Sequence, residues 1–142
     1  MNKKSVGLYP TLPWSDRFRV GVEILDSDHL ALVNLINEVA ESLRSGRNQE
    51  ATVAFDALRK LAEEHFSREE ALLQGLRGPC NLAPHAVEHQ ARLKQLAMLC
   101  NQFADMKTVA DADRIITDLV DWFVRQSIGH DAAIKAYFDE VR

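Results

Sequence analysis

The sequence has no run of about 18 apolar residues, the length that a helix needs to cross a membrane. Its beginning, MNKKSVGLYPTLPW, is basic but has no apolar stretch that would make it a secretory signal, so we expect a cytoplasmic protein. Its two cysteines, Cys80 and Cys100, are too few for a disulfide framework and lack zinc-site spacing. Acidic residues outnumber basic residues, and the formal charge of −4 argues against nucleic-acid binding through phosphate neutralisation.

Apolar residues, in contrast, make up 46% of the 142 positions, enough for one domain with one sizeable core. Their 3–4 spacing predicts four helices, and alternating β-branched runs typical of strands do not occur. We therefore expect an all-α fold in one domain over residues 1–142, with an extended N-terminal arm over 1–25. Long helices joined by short loops favour an antiparallel up-down-up-down four-helix bundle over 26–142.

The predicted helix boundaries follow from capping signals. Asp26 is a candidate N-cap for the first helix, and Gly46 follows its end. The second helix is predicted over about 48–76 and the third over about 84–106, with Pro84 in its first turn. The fourth is predicted over about 109–141.

Side chains that can bind metal ions lie on the apolar stripes of these helices. A buried carboxylate without a partner is costly, and no lysine or arginine lies on the stripes to neutralise it. A bound metal cation would be such a partner. The candidates are His29 in the first helix, His65 and Glu69 in the second, His85 and His89 in the third, Gln126 and His130 in the fourth, and Asp131 on the flank of the fourth.

Two pairs among these candidates have the spacing of chelating side chains. His65 with Glu69, and His85 with His89, are four residues apart and therefore one turn apart on a helix. A single histidine on an apolar stripe is more often a core residue, but two such pairs on adjacent helices indicate a metal site. Imidazole with carboxylate suits zinc or iron, and this many ligands suits two metal ions better than one.

Four motifs occur together over nearly the whole chain: W…VGVEILDSDH, HFSREEALL, HAVEH and WFVRQSIGHD. Together they resemble the hemerythrin-like domains of the bacterial type, non-haem di-iron proteins that bind oxygen. The resemblance implies two iron ions, bridged by carboxylates and by an oxo or hydroxo group, and an oxygen pocket formed by Leu32, Phe66 and Phe123. The implied ligands are His29 and His65 on one iron, His85, His89 and residue 126 on the other, and Glu69 and Asp131 as bridges.

The chain departs from the family pattern at one ligand. When the last motif is aligned from Trp122 and Asp131, the family's histidine falls on Gln126. Gln126 is then a weak ligand through its amide oxygen, a holder of metal-bound water, or a residue that only fills space. In an ideal α-helix, position 131 lies about 140° from position 126, and position 130 only about 40°. His130 is therefore an alternative ligand, or else a surface or supporting residue.

The function implied by this resemblance is binding of, or reaction with, dioxygen. A coordination position left open at Gln126 fits oxygen or redox sensing better than oxygen storage. One alternative is a small ferroxidase or peroxidase built on the same site, although an oxygen-binding or sensing protein is favoured over an enzyme. Another is a helical interaction module whose site is empty or holds zinc. If the chain is part of a longer protein, an effector domain is an expected partner.

Overall fold

The computed structural model describes residues 11–75, 82–130 and 135–136. The regular elements of these residues are all helical, and none of them is a strand. Each of the four long helices packs on its neighbours in the chain, and the fourth packs on the first to close a bundle. The elements are a 3-10 turn at Asp16–Phe18, α1 at Glu23–Arg44, α2 at Asn48–Gln74, α3 at Leu82–Ala104, α4 at Val109–Val124 and a π-helical segment at Arg125–His130.

The predicted all-α four-helix bundle is therefore confirmed. Its core is built from the apolar stripes of the helices, with Ile36, Phe55, Leu58 and Leu119 fully buried. Phe55 of α2 also stacks on Phe103 of α3, with ring centroids 6.1 Å apart. Within the described residues, no helix is both long and apolar enough to span a membrane.

The first helix begins earlier than predicted. Helix α1 starts at Glu23 with Val22 as its N-cap, so the prediction of Asp26 as N-cap is wrong. The Asp26 carboxylate instead accepts hydrogen bonds from the backbone N–H groups of Val20, at 2.6 Å, and Gly21, at 3.2 Å. The predicted end of α1 is confirmed, because Gly46 has a φ of 74°, a left-handed conformation that glycine adopts without strain.

The described part of the N-terminal arm is fixed to the bundle. Leu12 and Asn37 form two reciprocal hydrogen bonds, from Leu12 N–H to Asn37 Oδ1 at 2.8 Å and from Asn37 Nδ2 to Leu12 O at 2.9 Å. Leu12, Phe18 and Val20 are buried. Residues 1–10 of the predicted arm lie outside the described residues.

The last helix is not the continuous α-helix that the sequence predicts over 109–141. Helix α4 ends at Val124, and the chain continues in a π-helical segment whose hydrogen bonds join residues five apart. Gly129 lies in this segment, where a Cβ would meet nothing within 4 Å. Steric crowding therefore does not require glycine at this position.

A capping box starts α4. The Thr108 hydroxyl accepts a hydrogen bond from the Asp111 N–H at 3.1 Å, and the Asp111 carboxylate accepts one from the Thr108 N–H at 3.1 Å. A further hydrogen bond from the Lys107 N–H is the main cause that lowers the pKa of Asp111. Burial opposes this shift, and the hydrogen bonds of Thr108 and the charge of Arg114 add to it.

We expect Thr108→Ala to lower the free energy of unfolding by about 1 kcal/mol, because it removes the side-chain acceptor at the helix start. Urea unfolding measures this. The control is Thr52→Ala in α2, whose hydroxyl donates only to the Asn48 carbonyl within the helix. Equal losses in the two variants would contradict a specific role of the cap.

The folded-state pKa of Asp111 is lowered. The stabilisation that ionised Asp111 gives the folded state is therefore present above the unfolded pKa and disappears as the pH falls through the folded pKa.

Candidate metal centre

Glu69 lies at the centre of the candidate site. Its side chain is 0% exposed, and its two oxygens are directed at histidines on different helices. Oε1 is 2.7 Å from Nε2 of His89 on α3, and Oε2 is 3.6 Å from Nε2 of His65, one turn earlier on α2. A carboxylate with one oxygen toward each of two imidazoles has the arrangement of a bridge between two metal positions.

A third imidazole comes from α1. The rings of His29 and His65 are both buried and lie with centroids 4.8 Å apart at an angle of 54°. The structure thus brings together His29, His65, Glu69 and His89 from three helices, as the sequence predicts. The 3–4 spacing of the stripes explains this convergence, since it turns each of these residues into the bundle.

Each of these three histidines has an oxygen acceptor at its other ring nitrogen. Nδ1 of His29 contacts the Phe18 carbonyl at 2.5 Å, that of His65 contacts Asp28 Oδ2 at 3.1 Å, and that of His89 contacts Glu70 Oε2 at 2.6 Å. Carbonyl and ionised carboxylate oxygens only accept, so we assign the Nδ1 hydrogen to each ring. Such contacts orient metal-binding imidazoles and make Nε2 a better donor to a metal.

The N-terminal arm supplies one of these acceptors. The Phe18 carbonyl belongs to the 3-10 turn, which begins with a hydrogen bond from the Arg17 N–H to the Ser15 hydroxyl. The Phe18 ring meets Phe123 edge-on at 5.0 Å, and Phe123 in turn meets the His29 ring at 5.8 Å. The arm therefore takes part in positioning His29.

Asp28, Arg68 and Glu70 are site residues that the sequence analysis missed. Asp28 lies on α1 and contacts His65 and Arg68 of α2, whereas Glu70 lies on α2 and contacts His89 of α3. Burial opposes ionisation of Asp28, but its hydrogen bonds and ion pairs with His65 and Arg68 outweigh this and lower its pKa. The signal that could have indicated Glu70 is its position next to Glu69 in the EE pair. The two glutamates contact opposite nitrogens of one ring, because Glu69 meets Nε2 of His89 and Glu70 meets Nδ1.

The two histidines of α3, His85 and His89, have different electrostatic surroundings, and their pKa values shift in opposite directions. Burial disfavours protonation of His89, but the hydrogen bonds and charges of Glu69 and Glu70 outweigh it and raise the pKa of His89. The pKa of His85 is lowered, first by burial and then by the charge of His89, with Glu70 opposing. His85 is only partly buried one turn before His89, and its role as a ligand stays a prediction.

The π-helical segment changes the geometry assumed for the last motif. Its hydrogen bonds join residues five apart, so within Arg125–His130 residues five apart lie about one turn apart. Gln126 lies in this segment and is 3% exposed. Asp131 and the side chain of His130 lie outside the described residues, and their predicted roles are not tested.

The three predicted oxygen-pocket residues are all buried. Phe66 stacks on the His89 ring with centroids 4.3 Å apart and rings nearly parallel, and lies 5.5 Å from the His65 ring. Phe123 is next to His29, and Leu32 follows His29 by one turn. Among the described residues, no three histidine, cysteine, aspartate or glutamate side chains already form a complete metal-binding group.

Comparison with known protein families agrees with this geometry. The family model of the hemerythrin HHE cation binding domain matches residues 20–130, which covers most of the chain. The chain is therefore a member of this cation-binding family, and the resemblance seen in the sequence motifs is confirmed.

Similar curated proteins include three bacteriohemerythrins. That of Ralstonia nicotianae is 28% identical over 121 residues, covering 82% of this chain and 80% of its own length. That of Clostridium acetobutylicum is 27% identical over 115 residues, covering 78% and 85%. That of Stenotrophomonas maltophilia is 24% identical over 131 residues, covering 92% and 82%. The domain is thus of the bacteriohemerythrin type.

We expect Glu70→Ala to weaken binding of ferrous iron by about 10- to 100-fold, because His89 would lose the acceptor that orients its ring. Competition with a chelator in the absence of oxygen measures the affinity. The matched control is Glu63→Ala, an exposed glutamate on the same helix. If the two variants bind iron equally well, the contact between Glu70 and His89 does not support a metal ligand.

Proposed function

We propose that this chain binds two iron ions and binds or reacts with dioxygen. The observation that carries the proposal is the buried Glu69 carboxylate, which directs one oxygen at His65 and the other at His89. The relatives named bacteriohemerythrin support the same proposal. The proposed protein ligands are His29, His65, Glu69, His85, His89 and Asp131, with Gln126 as a weak or water-mediated ligand.

The donor set fits iron. The proposed ligands are imidazole nitrogens and carboxylate oxygens without a thiolate, a set that suits iron or zinc. Three of the imidazoles have Nδ1 engaged by an acceptor, which leaves Nε2 as the nitrogen for a metal. Bound ferrous ions would supply the electrons that dioxygen takes up, which the side chains of the site cannot provide.

The residues of the chain would provide orientation and a dry pocket. The Phe18 carbonyl, Asp28 and Glu70 hold the three imidazoles in fixed orientations. Phe66 covers the His89 ring, and Phe123 covers the His29 ring. Together with Leu32, these apolar side chains are proposed to exclude water from the oxygen-binding position, since solvent access controls the reactivity of metal sites.

We further propose a role in sensing oxygen or redox state in the cytoplasm. Gln126 is buried. It is proposed to take the place of a family ligand, and an amide oxygen is a weaker donor to iron than an imidazole nitrogen. An incompletely coordinated iron is more open to water and small anions, which favours reaction over long storage of oxygen. The free thiol of Cys100 is compatible with a reducing compartment.

The purified chain is expected to contain two irons, and Glu69→Ala should lose most of both, because a bridging carboxylate serves both ions. Metal analysis together with optical spectra, before and after reduction and exposure to air, measures this. The control is Glu63→Ala. Stoichiometric zinc without iron after growth with ample iron would contradict the proposal, and fast turnover with peroxide would favour an enzyme.

Gln126→His should give tighter iron retention, a longer-lived oxygenated form and slower autoxidation, because an imidazole would fill the proposed open position. Decay of the oxygen adduct and iron release to a chelator are compared with those of the natural chain. His130→Ala is the companion variant and should leave iron content and the optical bands nearly unchanged. Unchanged behaviour of Gln126→His would mean that Gln126 is not a site residue. Loss of one iron in His130→Ala would indicate that His130 is the ligand instead.

A further inference from the structure

The Arg68 guanidinium forms a bidentate contact with the Asp28 carboxylate. Arg68 Nε donates to Asp28 Oδ2 at 2.9 Å, and Arg68 Nη2 donates to Asp28 Oδ1 at 2.7 Å. The Asp28 side chain is 7% exposed, whereas that of Arg68 is 35% exposed. A bidentate guanidinium–carboxylate pair fixes the orientation of the carboxylate as well as neutralising its charge.

The same carboxylate holds a proposed metal ligand. Asp28 Oδ2 accepts from His65 Nδ1 as well as from Arg68 Nε, so one oxygen joins the two side chains. Asp28 belongs to α1, whereas Arg68 follows His65 by three residues on α2. The orientation of the His65 ring thus depends on a carboxylate that Arg68 itself fixes in place.

The three histidines therefore differ in the charge at Nδ1. Nδ1 of His29 contacts a neutral backbone carbonyl. Nδ1 of His65 contacts the Asp28 carboxylate, which the Arg68 guanidinium also binds. Nδ1 of His89 contacts the Glu70 carboxylate, which is partly open to solvent. A carboxylate at Nδ1 makes an imidazole a stronger donor to a metal. At His65 this carboxylate is itself held by a guanidinium, so the orientation of the ring depends on Arg68 as well as on Asp28.

We propose that Arg68 is a positioning residue for the metal position served by His65, and that it acts through Asp28. It holds the Asp28 carboxylate where it accepts the His65 Nδ1 hydrogen, so that Nε2 of His65 stays directed at Glu69. The inference rests on the proposed function for the presence of two metal positions. The Arg68 side chain is not proposed to bind a metal itself.

The test compares the iron-loaded chain carrying Arg68→Met with the same chain carrying Arg47→Met. Arg47 is a matched control, because it is 36% exposed and pairs with a carboxylate, Glu50, at 3.1 Å in the α1–α2 connection. We expect Arg68→Met to release one of the two irons to a chelator about 10- to 100-fold faster. The Mössbauer spectrum should change for one iron only, and Arg47→Met should match the natural chain in both measurements.

A double-mutant cycle tests whether Arg68 acts through Asp28. Asp28→Asn keeps an oxygen acceptor but loses the charge and the bidentate contact. If the path is shared, the double variant should release iron no faster than the more affected single variant. Additive effects would overturn the proposed path through Asp28. Thermal unfolding of each variant shows whether a loss of stability accompanies the change in release.

Two failures can be distinguished. If the natural chain holds two irons and Arg68→Met behaves like Arg47→Met, the inference about Arg68 is wrong and the proposed function stands. A change in thermal stability with unchanged iron release and Mössbauer spectrum would also overturn it, since Arg68 would then be only a structural ion pair. If the natural chain holds zinc and no iron, the proposed function fails, and zinc release from the same variants still tests Arg68.

Discussion

The arrangement of this bundle depends on one buried carboxylate. Glu69 is enclosed by helices, and a carboxylate in such a place is costly unless polar groups or a cation compensate it. Its two oxygens therefore meet the imidazoles of His65 and His89. Those imidazoles need acceptors of their own at Nδ1, and Asp28 and Glu70 provide them. The polar network is thus built outward from Glu69 until it reaches solvent.

Burial of the apolar part of the core offsets the free-energy cost of burying this polar centre. Phe55, Leu58 and Ile116 are fully buried in the hydrophobic core. Around the histidines, Phe66 stacks on His89 and Phe123 lies edge-on to His29. Apolar side chains therefore surround the polar centre on several sides.

The N-terminal arm and the last motif add two further features to this arrangement. The arm is fixed by Asn37 and by Asp26, and this places the Phe18 carbonyl on His29. At the other end, the π-helical segment gives a spacing of five residues to one face, a register that an α-helix does not offer. Single π turns often occur at functional sites, and this one contains the buried Gln126.

The sequence by itself determined the four helices, the stripe positions of His29, His65, Glu69 and His89, and the family, because helical periodicity and motif spacing are local properties of the chain. It did not determine that Arg68 pairs with Asp28 across two helices, that Glu70 holds His89, or that the last helix changes to π geometry at Arg125. These depend on which side chains of different helices meet. Only tertiary packing decides that, since contacts between residues distant in sequence leave no periodic signal in one sequence.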